Sequence, residues 1–197
     1  MKRVCLVCLG NICRSPMAEV VLRRTFAEHG LDVVVDSAGT GDWHVGNPMD
    51  ERALATLAEH GYDGSAHRVR QFDRAWFAER DLVLVMDREN LRDIRRIAPP
   101  DADVRLLRSF DPTAPEGAEV PDPYYGGPEG FVEVLHMIER RRRDWPSTLK
   151  IVRDLGGSHA WTLHEAELDD GRRAFVKKGI GSAGSPRLHR LRLRGGG

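Results

Sequence analysis

Near the start of the chain a cysteine, five residues and an arginine stand together in Cys8-Leu9-Gly10-Asn11-Ile12-Cys13-Arg14-Ser15-Pro16. The apolar run Val4-Cys5-Leu6-Val7 before it reads as a buried strand, and the spacing of apolar residues from Met17 to Phe26 reads as a helix. The segment therefore spans a strand-to-helix turn. Backbone N–H groups at such a turn point inward, and the helix dipole adds partial positive charge, so the turn is an anion site. The Arg14 guanidinium can hold two phosphate oxygens at once. Cys8 sits at the base of that cradle, where a thiol is expected to ionise easily. A thiolate facing a bound phosphate is a phosphoryl-transfer nucleophile. Ser15 can donate its hydroxyl to the sulfur, Pro16 suits the first turn of a helix, and Asn11 tolerates the left-handed backbone that a tight nest requires. The competing reading is a buried structural cysteine beside an incidental arginine.

The elements that position this turn follow from the alternation of apolar runs with amphipathic stretches. Strands are expected at Arg3–Cys8, Val33–Asp36, Leu82–Met86 and Val104–Leu106. Helices are expected at Pro16–His29, Met49–His60, Arg74–Glu79, Arg88–Ile97 and Pro128–Arg142, with Gly30 and Gly61 stopping the first two. That order predicts an α/β fold, an open parallel four-stranded sheet with helices on both faces. Ligands of such sheets bind at the carboxyl ends of the strands, where Cys8 falls. Residues 109–128, rich in Asp, Pro, Gly and Glu, read as a long surface loop.

These motifs carry a family resemblance. Residues 7–16, Asp36-Ser37-Ala38-Gly39-Thr40, Trp43-His44, Met86-Asp87 and Asp122-Pro123-Tyr124-Tyr125 resemble those of the low-molecular-weight protein tyrosine phosphatases, in order and spacing, over about residues 3–143. The resemblance implies two-step hydrolysis of phosphate monoesters. Cys8 attacks phosphorus, and Asp122 protonates the leaving oxygen and then activates water against the phosphocysteine. Arg14 and the N–H groups of Leu9, Gly10, Asn11, Ile12, Cys13 and Ser15 stabilise the equatorial oxygens. By itself, Asp122-Pro123 is an ordinary turn opener. Trp43, Tyr124 and Tyr125 are expected to wall a deep pocket for an aromatic ring, or else to anchor loops. His44 by itself is a surface or packing histidine.

The resemblance further implies that Ser37 bonds the Asn11 side chain, where a strand-end cap is the alternative. It places Asp87 and Asn90 behind the site, where the alternative for Asp87 is a cap of helix 88–97 alone. It also suggests a reversible Cys8–Cys13 disulfide that shields Cys8 under peroxide, against Cys13 as a small residue filling the loop. Cys5 is expected to be inert in the sheet interior.

Composition bounds the rest. The chain has 197 residues, with 30 Lys+Arg balanced by 30 Asp+Glu. Residues 1–144 carry a net charge of −5 and residues 145–197 one of +5, so the front part is no evident nucleic-acid binder. The three cysteines lie within the first 13 positions without metal-ligand spacing, and no metal or cofactor is expected. No secretion signal and no membrane-length apolar run is recognised, and a reducing cytoplasm suits a catalytic thiolate. The expected partner is a phosphorylated protein or small-molecule substrate, with neither nucleic acid nor membrane.

The division expected is a phosphatase domain at 1–147 and a short, poorly ordered extension at 148–197. Within the extension, Trp161–Leu168 and Arg172–Lys178 read as a hairpin about Asp170-Gly171, and residues 179–197 as disordered. Residues 155–178 resemble the first strands of fructosamine kinases, with Lys177 in the place of a phosphate-binding lysine. No kinase catalytic loop follows. That resemblance raises phosphorylated sugar adducts of proteins as an alternative substrate class. Arsenate reductases of similar fold carry further cysteines after the third strand, and residues 80–92 have none. A non-catalytic phosphate-binding module is expected to lack Cys8 or Asp122.

Overall fold

A computed structural model describes residues 2–111, 113–139, 161–167 and 173–179. The chain divides into two units, Met1–Arg153 and Asp154–Gly197. In the first, β1 (Lys2–Cys8), β2 (Val33–Gly39), β3 (Leu82–Val85) and β4 (Val104–Leu106) form one sheet in the order β2-β1-β3-β4. Every pairing is parallel. This is the expected open α/β sheet, and β1 lies inside it, so Cys8 is delivered from a strand bonded on both sides.

The period of two in β1 sorts the core. Val4, Leu6 and Cys8 face one layer with residues of α1 (Arg14–Glu28), α2 (Glu51–Glu59) and α4 (Pro128–Glu139). Cys5 and Val7 face the other, with Phe72, residues of α3 (Arg88–Ile97) and the 3-10 helix Arg74–Glu79. Strands covered on both faces must be apolar throughout, and β3, Leu-Val-Leu-Val, is wholly buried. Cys5 is fully buried, and burial together with the nearby Asp36 charge pushes its thiol well up, which agrees with an inert core role.

Helices α1 and α2 end on the same device. Thr25-Phe26-Ala27-Glu28-His29-Gly30 and Thr56-Leu57-Ala58-Glu59-His60-Gly61 match at five of six positions. In each, the threonine hydroxyl donates four residues back, to Val21 and Arg52, and the histidine Nδ1 meets the threonine carbonyl at 2.7 and 2.8 Å. Gly30 and Gly61 then take φ of 64° and 77°, the left-handed stop that glycine provides.

The loop after β4 is anchored rather than loose. A 3-10 turn, Leu107–Phe110, leaves the sheet, and the buried Val120 returns to it, donating its N–H to the Met86 carbonyl at 2.8 Å. Expected residues 140–142 of the last helix lie outside the described residues. So do the Asp170-Gly171 turn and residues 180–197. In the second unit, β5 (Trp161–Glu167) and β6 (Arg173–Gly179) pair antiparallel, as the hairpin reading expects. Among the described residues no helix is long and apolar enough to cross a membrane.

Candidate active site

The loop between β1 and α1 closes on Cys8. Its Sγ lies 3.0 Å from Ser15 Oγ and accepts the Asn11 N–H at 3.3 Å. Asn11 has φ 53°, and no other non-glycine among the described residues has positive φ. That turn brings the Asn11 N–H onto the sulfur. It is held by the side chain: Asn11 Nδ2 donates to Ser15 Oγ and to Ser37 Oγ, each at 2.9 Å, while Oδ1 accepts the Arg70 N–H at 3.0 Å. Ser37 lies inside β2 and bonds Asn11, so it is no strand-end cap.

Behind this clamp lie residues that the sequence did not single out. Ser37 Oγ donates to Glu19, and His67 sets Nδ1 3.7 Å from the same carboxylate while Nε2 donates to the Asn11 carbonyl at 2.9 Å. The ring of contacts runs Asn11, Ser37, Glu19, His67 and back to Asn11. Burial works against the Glu19 charge, but the nearby His67 ring, the bond from Ser37 and the charge of Arg23 outweigh it and hold the carboxyl below its usual range. One signal for Glu19 existed: it lies four residues after Ser15, on the same helix face. His67 and Arg70 lie in a stretch without period and gave none.

Arg14 is 3% exposed and is claimed from three sides. Nη1 donates to Asp87 Oδ2 at 2.6 Å and to the Val120 carbonyl at 3.2 Å, and Nη2 donates to Asp122 Oδ2 at 2.9 Å. Burial disfavours its charge. Cys8, Asp122 and Asp87 override that and hold the guanidinium above its ordinary value. Asp87 answers to both of its readings, since Oδ1 caps α3 through the Asn90 N–H at 2.7 Å while Oδ2 braces Arg14. Asn90 is buried and takes part through its backbone N–H in that cap.

Cys8, Leu9, Gly10, Ile12, Cys13, Arg14, Trp43, His44, Asp122, Tyr124 and Tyr125 line one cleft of about 330 Å³. The aromatic residues stand at its mouth rather than deep inside. Trp43 is 69% and Tyr125 94% exposed, and Tyr124 meets Tyr125 edge-on at 5.1 Å. His44 joins the lining beside Gly10, so it is more than a surface residue. Cys13 is buried near Cys8. Burial first, then the charge of Asp50, pushes its thiol up. Among the described residues, no group of three or more His, Cys, Asp or Glu is arranged to hold a metal ion.

The family described as low molecular weight phosphotyrosine protein phosphatase matches residues 3–154. The chain belongs to that family. It is 54% identical over 143 residues to a low molecular weight protein-tyrosine-phosphatase of Streptomyces coelicolor, covering 70% of this chain and 87% of the relative. It is 47% identical over 139 residues to low molecular weight protein-tyrosine phosphatase A of Mycobacterium bovis, covering 69% and 84%. In structure it is similar to a protein tyrosine phosphatase of Entamoeba histolytica with Hepes in the active site. That similarity has a TM-score of 0.72 at 31% identity, covering 78% of this chain and 99% of the other. The chain is thus a protein-tyrosine phosphatase, of a family that acts on phosphotyrosine through a cysteine nucleophile.

A Cβ at Gly39 would stand 2.8 Å from the Leu9 carbonyl oxygen and 3.2 Å from the Asn11 nitrogen, both backbone atoms of the phosphatase's loop. Gly39→Ala must push that loop. It is expected to lower kcat/KM on the order of 10²-fold, as a misplacement of about 1 Å does, while circular dichroism stays unchanged. Near-normal turnover by this variant would show that the loop tolerates the displacement.

Proposed function

We propose that Cys8 is the nucleophile, Asp122 the general acid and then the general base, and Arg14 with the loop's N–H groups the holder of the transferred phosphoryl group. The observation that carries this reading is the Arg14 guanidinium, which bonds Asp122 at one nitrogen beside the loop that holds Cys8. Cys8 Sγ attacks phosphorus in line and displaces the tyrosine oxygen, which takes the Asp122 proton. Asp122 then accepts a proton from the water that cleaves the phosphocysteine and releases inorganic phosphate. The positive charge of Arg14 and the inward N–H groups meets the charge on the equatorial oxygens in both steps. Ser15 serves the sulfur as it leaves, from 3.0 Å.

The substrate we infer is phosphotyrosine in a protein, met in the cytoplasm. Leu9, Trp43, Tyr124 and Tyr125, all large and all exposed, lie round the cleft and favour an aryl group over a sugar adduct. The reading uses no metal, cofactor, nucleic acid or membrane. It assigns the C-terminal segment, Lys177 included, no part in the chemistry, and it keeps the division into a phosphatase domain at 1–147 and an extension at 148–197.

Three measurements test these roles. Cys8→Ser is expected to abolish turnover of a phosphotyrosine peptide while inorganic phosphate still binds, since the cradle remains. Hydrolysis near the normal rate would end the nucleophile assignment. Asp122→Asn is expected to lower kcat/KM by about 10²–10⁴-fold for phenyl phosphate and far less for dinitrophenyl phosphate, whose leaving group needs no proton. An equal loss on both would remove Asp122 as the acid. Under mild peroxide Cys8 is expected to become a sulfenic acid that loses water to the Cys13 thiol, giving a disulfide that thiol reductants reverse. Cys13→Ser should make inactivation largely irreversible. Mass spectra of the oxidised protein without a Cys8–Cys13 link would refute the redox role.

A further inference from the structure

Arg52 takes no part in the chemistry above, yet each of its guanidinium nitrogens is engaged. Nε and Nη2 fork onto Asp50, at 3.0 Å to Oδ1 and 2.9 Å to Oδ2. Nη1 donates to the Tyr124 carbonyl at 3.0 Å and the Gly126 carbonyl at 3.4 Å. The flat face of the group lies over the rings of Phe131, 4.7 Å from its centroid, and Tyr124, at 5.4 Å. A planar fork that also stacks is a task for arginine, which lysine's point charge cannot reproduce.

What Arg52 grips is the turn that carries the acid. Within it, the Tyr124 N–H donates to Asp122 Oδ1 at 3.1 Å and the Gly126 N–H to the Pro123 carbonyl at 3.0 Å. The turn is a small unit, fixed before Asp122 by Val120 on Met86 and after it by Arg52. Asp50, the other half of the fork, caps α2 through the Arg52 N–H and donates its own N–H to the Ile12 carbonyl of the phosphate loop at 2.9 Å. The Asp50–Arg52 pair therefore spans from the loop of the nucleophile to the loop of the acid.

We propose that Arg52 is a positioning residue for proton transfer: it ties the Asp122–Gly126 turn to α2 and so sets the height of Asp122 above Cys8. This rests on the reading of Asp122 as the acid. None of the bonds within the loop about Cys8, Asn11 and Ser15 involves the Arg52 side chain, and Arg14 keeps Asp87, so a loosened turn is expected to leave phosphate binding in place. What suffers is the step that needs the Asp122 proton in place.

The test uses the full chain. Values of kcat/KM are measured for phenyl phosphate, whose leaving group needs the proton, and for 2,4-dinitrophenyl phosphate, whose leaving group does not. Inorganic phosphate as a competitive inhibitor reports on the cradle. Arg52→Ala is expected to fall on the order of 10²-fold on phenyl phosphate and less than about threefold on the dinitrophenyl ester, with phosphate inhibition within about twofold of normal. Arg52→Lys keeps the charge and the stem but loses the fork. It is expected to show the same selectivity at about tenfold, and it carries the test if the alanine variant does not fold.

In the Arg52→Ala, Asp122→Asn double variant, phenyl phosphate turnover is expected to be no slower than with Asp122→Asn alone, because Arg52 acts through Asp122. Equal losses on the two esters, weakened phosphate inhibition, or additive losses in the double variant would each overturn the proposal. If Asp122→Asn alone shows no leaving-group selectivity, the acid reading fails and takes the proposal with it. If Asp122→Asn is selective and Arg52→Ala is not, only the role of Arg52 fails.

Discussion

The left-handed turn at Asn11 is the constraint on which the site depends. A loop of this length between a strand and a helix can aim its N–H groups at one point only if its backbone reverses sharply, and asparagine is among the few non-glycine residues that accept that geometry. The same side chain then locks the reversal, with two donated bonds to serines on different elements and one accepted from Arg70. Because Asn11 is fully buried, leaving any of these groups unpaired would cost about 1–3 kcal/mol. Ser37, Glu19 and His67 extend the lock into α1 and the loop before Phe72. The loop's shape is thus fixed by its own bonds, and in the proposed mechanism a loop held in this way needs little reorganisation during the reaction.

Arg14 joins that cradle to the rest of the molecule. Its position just after the loop makes it part of α1, and its side chain meets Asp87 after β3 and Asp122 in the long loop after β4. A buried guanidinium without carboxylates would be strongly disfavoured, and here two of them supply the compensation. Asp87 is itself fixed as the cap of α3. Nη2 of Arg14 is bonded to Asp122, so in the proposed mechanism the residue that holds the phosphoryl group faces the residue that supplies the proton. The Asp50–Arg52 pair adds a second tie between the same two loops from the α2 side.

The opposite layer of the sheet carries polar interactions of another kind. Arg80 pairs with Asp36 and lies over the Trp76 ring at 4.4 Å, and Arg70 approaches that ring from 5.2 Å. Arg70 also donates to the Ser37 carbonyl at 3.1 Å, and its N–H holds Asn11. One residue therefore links the packing of the far layer to the loop of the nucleophile.

Most of what is local was legible in the sequence, although Arg74–Glu79, expected as a helix, is a 3-10 helix and the third strand ends at Val85. Cys8 through Ser15 lie in one contiguous strand–turn–helix, so their types and spacing already contain the cradle, and the alternation of apolar runs gave four parallel strands in order. Gly30 and Gly61 ended helices where expected, because a helix stop needs only its own last turn. Motif spacing was also enough to suggest Asp87, Asp122 and Trp43, through resemblance rather than periodicity. Tertiary structure decided the partners. His67 reaches Asn11 from 56 residues away, Arg70 from 59, and Arg52 reaches Tyr124 across 72. These residues sit in loops or at a helix start, where no period marks them. They meet the site because the strand order β2-β1-β3-β4 brings the carboxyl ends of distant strands to one edge. The tyrosines show the same limit: their types announced an aromatic cleft, but whether they stand deep or at the mouth depends on how the turn after Asp122 lies against α2.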